Sequence, residues 1–180
     1  MNPAAAPHSQ SLPVAGRVTE FRRQAALPPM NWQHLKPGYI CERIIGFSLP
    51  VCGEVAVISY EGVHIIPLTR PDVVAHYPEL AEGGDAYDSE RQQLEFGGRG
   101  FPILGLHGGT PRLRSARGEQ ITFGDGDVFT LRDASGHEVF THTYDDLSGD
   151  WRVVTFTPDD EHILFGLPYE LQIFQRDRAA

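Results

Sequence analysis

Residues 151–174 read WRVVTFTPDDEHILFGLPYELQIF. Three apolar runs, VVTFT, HILFGL and ELQIF, are parted by TPDD and by LPY, and each separator supplies the Pro or Asp that a tight turn uses. The stretch reads as strand, turn, strand, turn, strand.

The same grammar extends outward. Upstream lie FPILGL, PRLRSA, EQITF, DVFTLRD and HEVFTHTY, divided by HGGT, ARG, GDGD, DASG and SGD. Further back, EVAVISY and VHIIPL form a hairpin with Glu61 and Gly62 as its turn, because Val, Ile and Tyr favour a pleated surface. With 19 Gly and 14 Pro there is punctuation for many turns, and no segment shows comparable helical periodicity. An antiparallel all-β meander around a single core is expected.

DVFTLRD laid over ELQIFQR brings Val128 onto Leu171 and Leu131 onto Phe174, a spacing within the ~40–45 residues of a propeller blade. DVFTLRDASGHEVF resembles the Asp-Gly punctuated hairpins of quinoprotein-type propeller repeats. VVTFTPDDEHILFGLPYELQIF resembles the core of tryptophan-aspartate repeat blades, with Asp160 where that family usually has Gly and with Phe174 and Gln175 in place of the closing Trp-Asp pair. The likeness is clearest over residues 120–177, weaker over 40–68, and implies about three blade-like units. Propellers close with ~4–8 blades. Three units leave edges open, so the expectation is a β-sandwich, an open barrel or an incomplete propeller-like assembly, with a homo-oligomer as one way to complete a ring.

Residues 1–30 read as an Ala/Pro-rich arm and 31–178 as one β domain. Within it, 71–100 form an acidic, Gly-rich insertion with short helices around Asp72 to His76 and Ser89 to Leu94. A formal net charge of −9 argues against nucleic acid as a partner, since that binding relies on Lys and Arg. No window approaches the ~20 apolar residues that span a bilayer. MNPAAAPHSQSLPVAG lacks the basic start and apolar run of a secretion signal, which points to a cytoplasmic protein.

Several constellations could carry chemistry. In CERIIGFSLPVC, a hairpin turning at Gly46 and Phe47 would set Cys41 across from Cys52, as a disulfide or as two reduced, packed thiols. GLHGG, with His107, resembles the His-Gly-Gly loops of esterase oxyanion holes. The Gly-x-Ser-x-Gly elbow those enzymes need is missing, which favours a glycine-rich turn. Cys52 with a histidine could act as nucleophile and base. His137 and His142 are an odd number apart, so a regular strand sends them to opposite faces and no metal ligand spacing results. The acids of GDGDV, YDDLSGD and TPDDE suit backbone capping in turns better than a calcium loop. Arg112 and Arg114 share one face if PRLRSA is a strand, and with Arg117 they offer a site for a carboxylate or phosphate. Tyr169, at the tip of LPYE, is the aromatic placed as a contact residue.

These readings favour a non-catalytic binding protein without a cofactor, whose partner is another protein met through loops and sheet edges. A small Cys- or His-dependent hydrolase and an acidic, immunity-type neutraliser of a basic toxin or effector are the alternatives.

Overall fold

A computed structural model of the chain describes residues 32–40, 43–145 and 149–177. It is an all-β structure in three antiparallel sheets. The central sheet contains β1 (Trp32–Leu35), β12 (Val153–Phe156), β13 (His162–Leu167) and β14 (Glu170–Arg176), ordered β1-β14-β13-β12. On one side lies a three-stranded meander of β9 (Gln120–Phe123), β10 (Val128–Arg132) and β11 (Glu138–Thr143).

On the other side is a seven-stranded sheet. It holds β2 (Ile44–Ser48), β3 (Glu54–Ser59), β4 (Gly62–Pro67), β5 (Ala75–Tyr77), β6 (Tyr87–Asp88), β7 (Gln93–Phe96) and β8 (Arg99–Gly105), ordered β5-β4-β3-β2-β8-β7-β6.

The burial pattern explains the stacking. Strand β13 is buried at every residue. Ile163, Phe165 and Leu167 pack against Phe129, Leu131 and Phe140 of the three-stranded sheet, while Leu164 joins Phe47, Val55 and Val57 of the seven-stranded one. A period of two thus serves two apolar interfaces at once. The Phe129 and Phe165 rings meet at 5.1 Å across the first interface. Gly166, on the second face, has no room for a side chain, because a Cβ there would overlap the Phe47 ring and come 3.3 Å from Trp151.

The seven-stranded sheet encloses a third apolar cluster. Ala56, Ile58, Val63 and Ile65 of β3 and β4 pack with Leu94, Phe101 and Ile103 of β7 and β8, so the sheet curls over its own inner face. The single core expected from the pattern is therefore three apolar layers. The opening triplet of strands forms as read, with β13 and β14 at the anticipated bounds.

Three expectations are corrected. First, the supposed turn residues Gly46 and Phe47 lie inside β2, between β3 and β8. Gly46 is needed for close approach, since a Cβ would sit 2.8 Å from the Leu104 carbonyl oxygen. The actual turn is Cys52-Gly53, flanked by the Val51–Glu54 bridge, with both residues at positive φ (51° and 79°) as a type I′ turn requires. Cys52 is exposed rather than packed, and Cys41 lies outside the described residues.

Second, the short helices expected in 71–100 give way to β5 and β7, with a 3-10 segment over Pro78–Ala86. Pairing of Ala75–Tyr77 along β4 covers an otherwise open edge. Third, PRLRSA forms no strand. β10 and β14, the two strands overlaid by the blade spacing, are both interior strands, β10 between β9 and β11 and β14 between β13 and β1.

The β3–β4 turn also falls one residue earlier than read, at Tyr60 and Glu61, because Ser59 pairs with Gly62. A strand not singled out from the sequence, β1, closes the central sheet against β14, from Trp32 opposite Arg176 to Leu35 opposite Ile173. Among the described residues no helix is long and apolar enough to cross a membrane.

Gly166→Ala is expected to destabilise the protein by roughly 1–3 kcal/mol, because an added methyl in a filled interface forces neighbouring rings off their positions. Urea unfolding followed by Trp fluorescence measures it. An unchanged midpoint would mean that the two sheets are not in close contact at this strand.

Candidate functional site

The β13–β14 turn consists of Pro168 and Tyr169, since Leu167 pairs with Glu170. Pro suits the first turn position, and Tyr169 follows at the tip, half-buried against the aromatic cluster. Its hydroxyl donates to the Asp145 carbonyl, and Ile44 N–H donates to the Pro168 carbonyl. The turn is thereby tied to both flanking sheets.

Two further turns and two strand lead-ins converge on it. Arg43 adopts φ 63° just before β2, and its guanidinium lies 5.3 Å over the Tyr60 ring at the tip of the β3–β4 turn. Leu106 follows β8 in a tight Gly105-Leu106-His107-Gly108 turn and donates its N–H to the Ile45 carbonyl. Trp151 leads into β12. Together these residues line a cleft of about 380 Å³ that also meets Asp150. Tyr60 is 45% and Leu106 44% exposed, so the rim is apolar where the surface should be polar. Among the described residues no carboxylate lies in ion-pair range of Arg43.

Of the residues singled out from sequence, Tyr169 is in this cleft. His107 points elsewhere, its ring 6.1 Å from Tyr87 and its carbonyl accepting from Gln92 Nε2. GLHGG is a glycine-rich turn in which Gly105 abuts the Ile45 carbonyl.

The three arginines do not form an open anion site. Arg112 Nη2 is 2.9 Å from Asp160 Oδ1, and its Nη1 donates to the Thr157 and Pro158 carbonyls. Arg117 pairs with Glu161 at 2.7 Å, and Arg114 donates to Gln120. Arg112 and Arg117 bind the 112–119 loop to the TPDD turn and the Glu161 that follows it, while Arg114 ties the loop to the start of β9. Asp160 stands at φ 60°, and its carboxylate accepts the Ala116 N–H as well. The Asp160 carboxylate therefore holds both Arg112 and the Ala116 backbone to the TPDD turn. Turn capping by Asp also holds at Asp133, which accepts from the Ser135 and His137 N–H groups.

Beneath the loop sits an ion pair not anticipated from sequence. Arg176 makes two bonds to Glu119, at 2.9 and 2.6 Å, and lies 4.3 Å over the Trp32 ring. Burial pushes the Glu119 carboxyl up, but the Arg176 and Ser115 hydrogen bonds outweigh it and hold the group below the usual range.

Three histidines, His64, His142 and His162, are buried among the described residues. His64 is 1% exposed and stacks on His76 at 4.3 Å. Burial, with His76 adding to it, lowers its pKa to about 4. His142 is lowered to about 4 by burial and by His34. Cys52 stands beside the Arg99–Glu54 ion pair (2.6 Å). Among the described residues no three His, Cys, Asp or Glu side chains gather as a metal-holding group.

Comparison with protein-family models, with curated proteins and with solved structures finds no match to this chain.

Replacing Arg176 by Leu is expected to cost roughly 3 kcal/mol, because the Glu119 carboxylate is left buried without its partner; urea titration at pH 7.5 measures it. A second outcome concerns pH. The folded-state pKa values of His64 and His142 are depressed, so the unfolded chain takes up protons from about pH 6.5 downward while the folded one does so only near 4. Stability is therefore full above pH 6.5 and declines toward pH 4, by on the order of 1 kcal/mol per histidine at pH 5. Urea midpoints at pH 7.5 and 5.0 test this. His142→Phe should flatten the decline, and a flat wild-type profile would show that neither ring is held neutral.

Proposed function

We propose that this chain is a non-catalytic binding protein that receives an extended segment of another protein in the cleft between Tyr60, Leu106, Trp151 and Tyr169. The observation that carries the reading is the exposed apolar rim of Tyr60 and Leu106 around an aromatic floor, with a guanidinium at one end. Tyr, Trp and Arg are the residue types on which binding energy concentrates, and they act best when anchored in a pocket. Three turns and two strand lead-ins from two sheets hold these side chains, so little ordering cost remains to be met on association. In a chain of net charge −9, Arg43 favours a partner segment with an acidic residue next to an apolar one.

Selection of a random dodecamer library displayed on phage tests the proposal. Enriched peptides should carry an acidic residue beside an aromatic or aliphatic one. Their affinity should fall at least about tenfold on Tyr60→Ala and on Arg43→Ala, both at surface turns. Peptides that bind these variants as well as the parent chain, or a library that yields no enrichment, would overturn it.

A further inference from the structure

The cleft around Tyr169 is walled by turn tips, and that limits how a segment can lie in it. The strands that lead to those turns, β2, β3, β4, β8, β13 and β14, are all interior to their sheets. β12, an edge strand, follows Trp151, but its Phe156 N–H already donates to the Arg112 carbonyl. The main chain of the walls is also directed inward. The N–H groups of Ile44, Tyr60 and Leu106 go to the Pro168, Arg43 and Ile45 carbonyls, and Pro168 has none to give. A partner that adds itself as a β-strand needs an exposed sheet edge, and these walls present no such edge.

A helix fits no better. With side chains it is ~10–12 Å across, whereas a space of about 380 Å³ has the size of a small-molecule site. What remains is an extended segment held by side chains alone.

Those side chains are rings and donors. Tyr60 and Tyr169 flank the Trp151 indole, and the Arg43 guanidinium lies 5.3 Å over the Tyr60 ring. A guanidinium carries five N–H groups and no acceptor. Asp150, the acid that meets the cleft, is engaged within the chain. The matching ligand is rich in carbonyls, poor in N–H groups and apolar where it meets the rings. Proline has that combination, with a carbonyl, no N–H and a compact apolar ring. Runs of proline hold the polyproline II form without internal hydrogen bonds, so their carbonyls stay available and little order has to be imposed on docking.

We propose that the segment received by this cleft is a proline-rich stretch in the polyproline II form, flanked by an acidic residue that pairs with Arg43. The proposal rests on the cleft being a docking site for a protein segment, and adds the conformation and composition of that segment. Successive prolines, ~3.1 Å apart along the axis, lay their rings against Tyr60, Trp151 and Tyr169.

The test titrates four peptides into the full chain: acetyl-EPPPPPP-amide, acetyl-QPPPPPP-amide, acetyl-EVTVTVT-amide and acetyl-EAAAAAA-amide. The Trp151 indole N–H is followed by 15N NMR, with the Trp32 indole, enclosed beneath Arg176, as internal reference. The first peptide is expected to shift Trp151 saturably with a Kd of about 1 mM or below, and the other three to bind at least about fivefold more weakly. Tyr60→Ala, at an exposed turn, should weaken the first peptide about tenfold. No saturable shift from that peptide at about 10 mM would overturn the proposal, as would equal or tighter binding of any of the other three. Failure here is separable from failure of the cleft as a docking site. Phage-displayed peptides that need Tyr60 and Arg43 but lack proline would remove only the polyproline II assignment, whereas a library without enrichment would remove both.

Discussion

A strand that is apolar on both faces cannot stop at one interface, and β13 is such a strand. Leaving either face of His162–Leu167 open would expose leucine or phenylalanine to water, at a cost of roughly 1.5–3 kcal/mol per large side chain. The central sheet must therefore be covered twice. The three-stranded meander does this on one side and the curled seven-stranded sheet on the other. The second cover brings its own constraint. Its strands β3 and β4 are also apolar on their outer face, and the sheet bends until β7 and β8 close over that face. Gly46 and Gly166 mark the contacts where backbones or rings come too close for any side chain.

Layering also decides where recognition is feasible. Strand interiors are used up by packing, so accessible chemistry is left to turns and to the ends of the layers. The cleft near Tyr169 lies where turns of the seven-stranded and central sheets emerge together. The arginine-rich loop follows the opposite logic. Arg112 and Arg117 reach Asp160 and Glu161 and fasten a loop whose strand bonds are limited to an isolated bridge at Arg114 and the contacts of the Arg112 backbone with Thr155 and Phe156 of β12. Those ion pairs are consumed in holding shape and are not on offer to a ligand.

Strand positions were legible because alternation and turn residues are local signals, and EVAVIS, HILFGL and ELQIFQR fall within a residue of their observed bounds. Tyr169 was legible for the same reason, since Pro168 announces its turn. What could not be read was which strands pair over long distances. Gly46 looks like a turn residue until β8, more than fifty residues away, is known to press against it. β1 carries only one residue, Trp32, that is fully buried, and its place depends on β14. Arg43, Tyr60 and Leu106 are unremarkable in sequence and acquire meaning only through convergence. Arg112 misled because a charge pattern in sequence carries no record of its partner.

The pairing of β1 with β14 has a temporal side. The segment that becomes β1 leaves the ribosome more than a hundred residues before β14, its sheet partner among the described residues, a delay on the order of ten seconds at ordinary synthesis rates. Throughout that interval Trp32 has neither the Phe156 ring nor the Arg176 guanidinium against which it finally rests. Nascent chains of this protein therefore carry an unmatched ribbon until the last strand arrives, and chaperones that shield hydrophobic polypeptide during translation have that long to engage it.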